Sequence, residues 1–282
     1  MAVAEVNGTA LHYETHGNSG PLLVLIMGLR VRGLAWGPIV DHLSKTHRLA
    51  WYDHRGVGES RSLDAPTSIA QMAADTVGLM DHLGWGSAHV AGVSMGGMIA
   101  QQLVLNHPER ARSATFIVTT AHGKALQRTS LKTLWRYSGT FFGSREKRLG
   151  VLARMLYSAE HLEEAGFDSV VEGMKDAFGL DHPGTAQAQI RAIRDHDTRP
   201  RLSEMDLPML VIGAGADCII PERHPLQLHA QLKDAEYVSF PRACHGVIAE
   251  EAEAVSEQIS RLIDRSESST AQRGEGVRMR CT

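Results

Sequence analysis

The sequence predicts an α/β fold: a mostly parallel sheet with helices on both faces and an inserted helical cap. Three observations carry this. Short apolar runs alternate with segments of helical spacing over most of the chain. One of those runs, Pro21–Ile26 (PLLVLI), is apolar throughout, the pattern of a strand buried on both faces. Between residues 121 and 200 the alternation stops and only helical periodicity remains, a stretch too long for a loop.

The elements follow in order. Val3–Val6 and Leu11–Thr15 alternate in polarity around Asn7-Gly8, a two-residue hairpin signal. Pro21–Ile26 and Arg48–Tyr52 are strands, and Ile69–Leu83 is a helix that stops before Gly84. His89–Gly92 is a strand; the Gly96–Asn106 helix stops before Pro108, whose ring cannot continue it. Ala114–Val118, Met209–Ala214 and Glu236–Phe240 complete the strands, and Val247–Ile263 is a closing helix. Residues 1–120 and 201–265 are therefore expected to form the core, and residues 121–200 the cap. Residues 266–282 (SESSTAQRGEGVRMRCT) are polar and are expected to be a disordered tail.

Composition narrows the function. The 282 residues are 43% hydrophobic and 22% charged, which excludes a disordered or collagen-like chain. No run of ~18 apolar residues exists to cross a membrane. With 29 Lys+Arg against 32 Asp+Glu there is no basic excess, so no nucleic-acid partner is expected. Three cysteines make no disulfide framework and the N-terminus lacks a signal-peptide pattern, so a cytoplasmic setting is expected.

The chemistry concentrates at Gly92-Val93-Ser94-Met95-Gly96-Gly97, where a strand meets a helix. A tight strand-to-helix turn strains the backbone at Ser94, and side chains at 92 and 96 would clash there. Ser94 also sits at a helix N-terminus, which favours negative charge. A serine hydroxyl is a weak nucleophile and needs a base oriented by an acid. His245 follows the last strand, and Asp217 follows the Met209–Ala214 strand. The order Ser94, Asp217, His245 is that of a nucleophile, acid and base on such a sheet. An acid after the strand ending at Val118 would be the alternative site, but Thr119 and Thr120 stand there. Oxyanion donors are expected from the amides of Met95 and Leu29, the latter after Met27-Gly28, where glycine permits close approach. Neither a metal nor an organic cofactor is called for.

These residues resemble the α/β-hydrolase family from about Val6 to Ile263. The pieces that carry the likeness are PLLVLIMG, YDHRGVGES, GVSMGG, NHPER, LPMLVIGAGAD and CHG. Within the family the chain is similar to 3-oxoadipate enol-lactonases and aclacinomycin-type methylesterases, the former also through Arg194-Asp195-His196-Asp197. The resemblance implies Ser94, Asp217 and His245 as a triad that cleaves an ester or lactone. Met27-Gly28 stands where many members have His-Gly, which points away from the carbon–carbon bond hydrolases. A cofactor-free perhydrolase or haloperoxidase and a non-catalytic ligand receptor would use the same fold, and remain alternatives. The YDHRGVGES loop (Tyr52–Ser60) is expected to be structural.

In the insert, residues 124–154 hold eight Lys or Arg against Glu146 alone, with Arg128, Lys132 and Arg136 on one helical face. Such a helix is either a solvated face or a docking surface for an anionic carrier or an acidic membrane. Phe141, Phe142, Met155, Leu156 and Tyr157 either line an acyl pocket or pack a core. Arg30 and Arg32 follow the oxyanion loop, in reach of a substrate carboxylate or in a structural role. Cys218 and Cys244 adjoin Asp217 and His245; they are either two small buried residues or, if those side chains touch, a handle by which thiol modification perturbs the triad.

Overall fold

The computed structural model describes residues 2–60, 67–128, 143–178 and 183–278. The strands are β1 (Ala2–Val6), β2 (Thr9–His16), β3 (Leu22–Ile26), β4 (Arg48–Tyr52), β5 (Ala88–Val93), β6 (Ala111–Ile117), β7 (Met209–Ala214) and β8 (Ala235–Phe240). The helices are α1 (Gly37–Leu43), α2 (Ile69–His82), α3 (Met95–Asn106), α4 (Arg145–Leu156), α5 (Ala159–Glu164), α6 (Phe167–Ala177), α7 (Pro183–Asp195), α8 (Arg223–His229), α9 (Val247–Glu250) and α10 (Ala252–Arg278).

One sheet runs β1-β2-β4-β3-β5-β6-β7-β8. The β1–β2 and β2–β4 pairs are antiparallel and the remaining pairs parallel, so the carboxyl ends of β3, β5, β6, β7 and β8 share one edge. Asn7 and Gly8 both have positive φ, as a tight hairpin turn with the sheet's twist requires.

The apolar run of β3 supplies two layers at once. Val24 and Ile26 join the layer under α2 and α3, while Leu23 and Leu25 join the layer under α1 and α10. Strand β7 divides likewise, Met209 and Val211 against Leu210 and Ile212. Period-2 alternation with both faces covered leaves no polar position, hence the unbroken apolar reading.

Between β6 and β7 the described residues hold helices and no strand. Their own apolar cluster includes Leu149, Leu156, Leu162, Val171 and Met174. The insert leaves and re-enters the core at one point. Gly123 N donates to His196 O (3.0 Å), and Thr198 N donates to Ala121 O (2.9 Å). Thr198 Oγ1 reaches Gln101 Oε1 on α3 at 2.6 Å. The basic helical face with Lys132 and Arg136, and Phe141 and Phe142, lie outside the described residues. Among the described residues no helix is long and apolar enough to cross a membrane.

Two expectations are corrected. The closing helix is broken at Glu251, into α9 and α10, because Glu251 leaves helical geometry (φ −127°, ψ 39°). The disordered tail expected over 266–282 does not begin at 266, since α10 runs on to Arg278. Ser266 is buried and donates to Arg112 O (3.0 Å). Glu267 meets His89 Nε2 at 3.1 Å and Arg112 at 2.9 Å. These contacts come from β5 and β6, about 155–178 residues away in the chain, so composition alone did not reveal them. The sequence reading also missed α1 and α8. Each has seven residues, too few turns for a periodic signal.

His196 gives the fold a pH dependence. It is buried at the root of the insert, and burial pushes its pKa down to about 4. Between about pH 6.5 and 4 the unfolded chain binds a proton there that the folded chain refuses. The stability tied to His196 is present above pH 6.5 and falls as pH drops toward 4. The urea unfolding midpoint should decline across that window, and less steeply in His196→Gln.

Candidate active site

Ser94 caps α3 with φ 57° and ψ −118°, a left-handed conformation rare for a residue with a side chain. The turn is closed by absent side chains. A Cβ on Gly92 would lie 2.2 Å from Gly96 O, and one on Gly96 would lie 2.0 Å from Ile26 O. Arg30 (φ 61°) and Val118 (φ 40°) are also left-handed. These three strained residues follow β3, β5 and β6, neighbours on the carboxyl edge. Strain held at one place by surrounding structure marks functional sites.

At the same edge, His245 Nδ1 and Asp217 Oδ2 are 2.6 Å apart and buried. A carboxylate only accepts, so Nδ1 carries the proton and Nε2 is left as the basic nitrogen. Asp217 Oδ1 accepts from Ile219 N (2.7 Å) and Ile220 N (2.9 Å), which holds the carboxylate in one rotamer. The Asp–His pair is therefore formed. Among the described residues no hydrogen bond joins Ser94 Oγ to His245; such links are often long before substrate binds. Thr119, where an alternative acid would stand, instead donates to Ser94 O at 2.7 Å.

The loop after β3 lies against Ser94. A Cβ on Gly28 would sit 3.3 Å from Ser94 Cβ and 3.8 Å from Ser94 Oγ. The Leu29 and Met95 amides follow directly on these two residues, and neither has a protein acceptor among the described residues. These two unpaired backbone amides adjoin Ser94 and the residue packed against it.

The YDHRGVGES loop braces this edge. Asp53 accepts from Gly33 N (2.7 Å), Glu59 N (3.0 Å) and Arg32 Nε (3.3 Å). Arg55 clasps Asp75 through two bonds of 2.6 and 2.7 Å, both residues being buried. Fully buried His54 donates from Nε2 to Met27 O (2.8 Å), at the start of the loop after β3. Its burial lowers its pKa, so it braces as a neutral donor. Arg32 is engaged with Asp53 and Glu59.

Sequence reasoning missed Glu250. Its Oε1 accepts from Cys244 N (2.8 Å) and its Oε2 from Ser158 N of the insert (3.1 Å). Gly246 N also donates to Leu156 O (2.7 Å). The loop bearing His245 is thus tied to the insert on both sides of the histidine. Glu250 is one of several acidic residues on the closing helices, and nothing in their pattern marks it out.

The thiol handle weakens here. Burial, then the facing Glu250 carboxylate, pushes Cys244 up to about 12. Only the thiolate is nucleophilic. Cys244 is therefore expected to resist iodoacetamide at pH 7.5, as peptide mass mapping would show.

A family model described as the alpha/beta hydrolase fold matches residues 21–252. A putative carbamate hydrolase RutD of Azorhizobium caulinodans is 28% identical over 261 residues, 92% of this chain and 97% of its own. A protein of the same description from Variovorax paradoxus is 30% identical over 260 residues, 86% of this chain and 91% of its own. The crystal structure of the enol-lactonase from Burkholderia xenovorans LB400 superposes with a TM-score of 0.81 at 27% identity, covering 93% of this chain and all of that one.

Proposed function

The chain belongs to the α/β-hydrolase fold family, and from that premise we propose that it is a serine hydrolase cleaving a carboxylic ester or lactone through an acyl-enzyme. The observation that carries the reading is the buried 2.6 Å Asp217–His245 pair on the edge where strained Ser94 faces the Gly28–Leu29 loop. In this reading His245 Nε2 takes the Ser94 proton as Oγ attacks the carbonyl. The Leu29 and Met95 amides hold the oxyanion. His245 then gives its proton to the leaving alkoxide, and water activated by the same nitrogen releases the acid. Asp217 keeps the tautomer and stabilises the imidazolium. The inserted helices act as a cap that shapes the substrate's binding space.

Because relatives are described as putative carbamate hydrolases, a carbamate joins the substrates to test, its carbonyl being open to the same attack. The experiment is labelling by a fluorophosphonate probe, run with p-nitrophenyl esters from acetate to decanoate, a lactone and a carbamate. Labelling at Ser94 with turnover supports the proposal, and the preferred substrate sets its class. A folded protein that shows neither defeats it and leaves the ligand-receptor reading.

A further inference from the structure

We propose that Gln189, on inserted helix α7, is a positioning residue that holds the oxyanion loop in its working shape. The inference rests on the serine-hydrolase reading above. Gln189 Oε1 accepts the Arg30 amide at 3.0 Å, across 159 positions of sequence. That amide belongs to the peptide that follows Leu29, and Arg30 is left-handed (φ 61°). A left-handed non-glycine residue is disfavoured and persists only where neighbours enforce it. The Gln189 carbonyl is the neighbour that bonds its amide.

Two further ties fasten the same loop to the insert. Arg32 N donates to Ala177 O at 2.8 Å, and Val31 forms an isolated β-bridge with Phe178. The loop that offers one oxyanion donor is therefore held against Ala177, Phe178 and Gln189 of the insert as well as by His54 of the core. Gln189 is fully buried, and its Nε2 finds no acceptor among the described residues. An unpaired amide donor in the interior is costly, and an apolar residue of that size would avoid the cost. The bond to Arg30 N is what accounts for an amide at this place. On this view the shape of the oxyanion loop depends on the insert being docked against it.

The test uses Gln189→Met, which keeps the volume and removes the acceptor, and Gln189→Glu, which keeps an acceptor at the same reach. Gln189→Met should lower kcat about ten-fold, less than the 10²–10³ typical of losing a whole donor. It should weaken an alkyl boronic acid, a mimic of the tetrahedral adduct, by a similar factor. KM should stay within about three-fold, since ground-state binding does not use the oxyanion hole. Gln189→Glu keeps an acceptor for the Arg30 amide whether its carboxyl is protonated or ionised, so it should recover most of the kcat and boronate affinity that Gln189→Met loses. Hydrogen exchange of a peptide spanning residues 27–32 should speed about ten-fold in Gln189→Met, with β5 unchanged. Unaltered exchange in that peptide, or kcat and boronate affinity within two-fold of wild type, overturns the proposal. Equal losses in both variants at every pH, with a collapsed melting temperature, also overturn it, because they mark packing alone. If wild type itself neither turns over esters nor binds the boronate, the serine-hydrolase reading fails, and the exchange experiment still decides whether Gln189 holds the loop.

Discussion

Ser94→Ala is expected to lower kcat by about four to six orders of magnitude, with KM and melting temperature close to wild type. The split follows from what Ser94 touches. Its Oγ makes no hydrogen bond among the described residues, so its removal costs the fold little. Its backbone oxygen, which accepts from Thr119, is untouched by the change. Strain at φ 57° is nearly the same for serine and alanine, because both carry a Cβ. What the proposed mechanism loses is its covalent path. Steady-state kinetics on purified protein, normalised by fluorophosphonate titration of the wild type, would measure the loss. A variant that keeps more than about a hundredth of the wild-type rate would mean that another group attacks the carbonyl.

Asp217→Asn is expected to cost about 10⁴ in kcat near neutral pH, again with little loss of substrate binding. The amides of Ile219 and Ile220 both donate to Oδ1 and will select the carbonyl oxygen of the new amide. That choice turns the NH₂ toward His245 Nδ1, 2.6 Å away in the wild type. Nδ1 must then accept, so the ring proton moves to Nε2, and the nitrogen that should take the serine proton already holds one. The damage is a tautomer, so it should be smaller in Asp217→Glu if the longer acid regains Nδ1. Nitrogen NMR of the histidine ring would identify the protonated nitrogen directly. Finding the proton still on Nδ1 in Asp217→Asn would refute this account.

Much of the architecture was legible from local chemistry. Asn7-Gly8 reports a hairpin because few other pairs accept two left-handed residues in a row. The PLLVLI run reports a strand covered on both faces, and Gly92-x-Ser94-x-Gly96 reports a turn whose clash distances exclude any side chain at its ends. That Asp217 and His245 would come together was legible from place as well as type, each standing just past a strand end. The same reading failed where the reason for a structure lies far away in the chain. The 266–278 segment is polar, yet Ser266 and Glu267 are held by Arg112 and His89. Helices of seven residues left too short a pattern to see.

The sequence by itself determined the order of elements, the elbow and the identity of the three residues proposed to carry the chemistry, because these depend on neighbours within a few positions. Tertiary structure alone decided the bracing of the site. Which glutamate ties the His245 loop to Ser158 of the insert, which histidine holds Met27, and which glutamine meets the Arg30 amide depend on segments brought together from 27 to 159 positions apart. A hydrogen bond across such a distance leaves no periodicity and no spacing in the chain. It exists only once the apolar layers on both faces of the sheet have set the elements side by side.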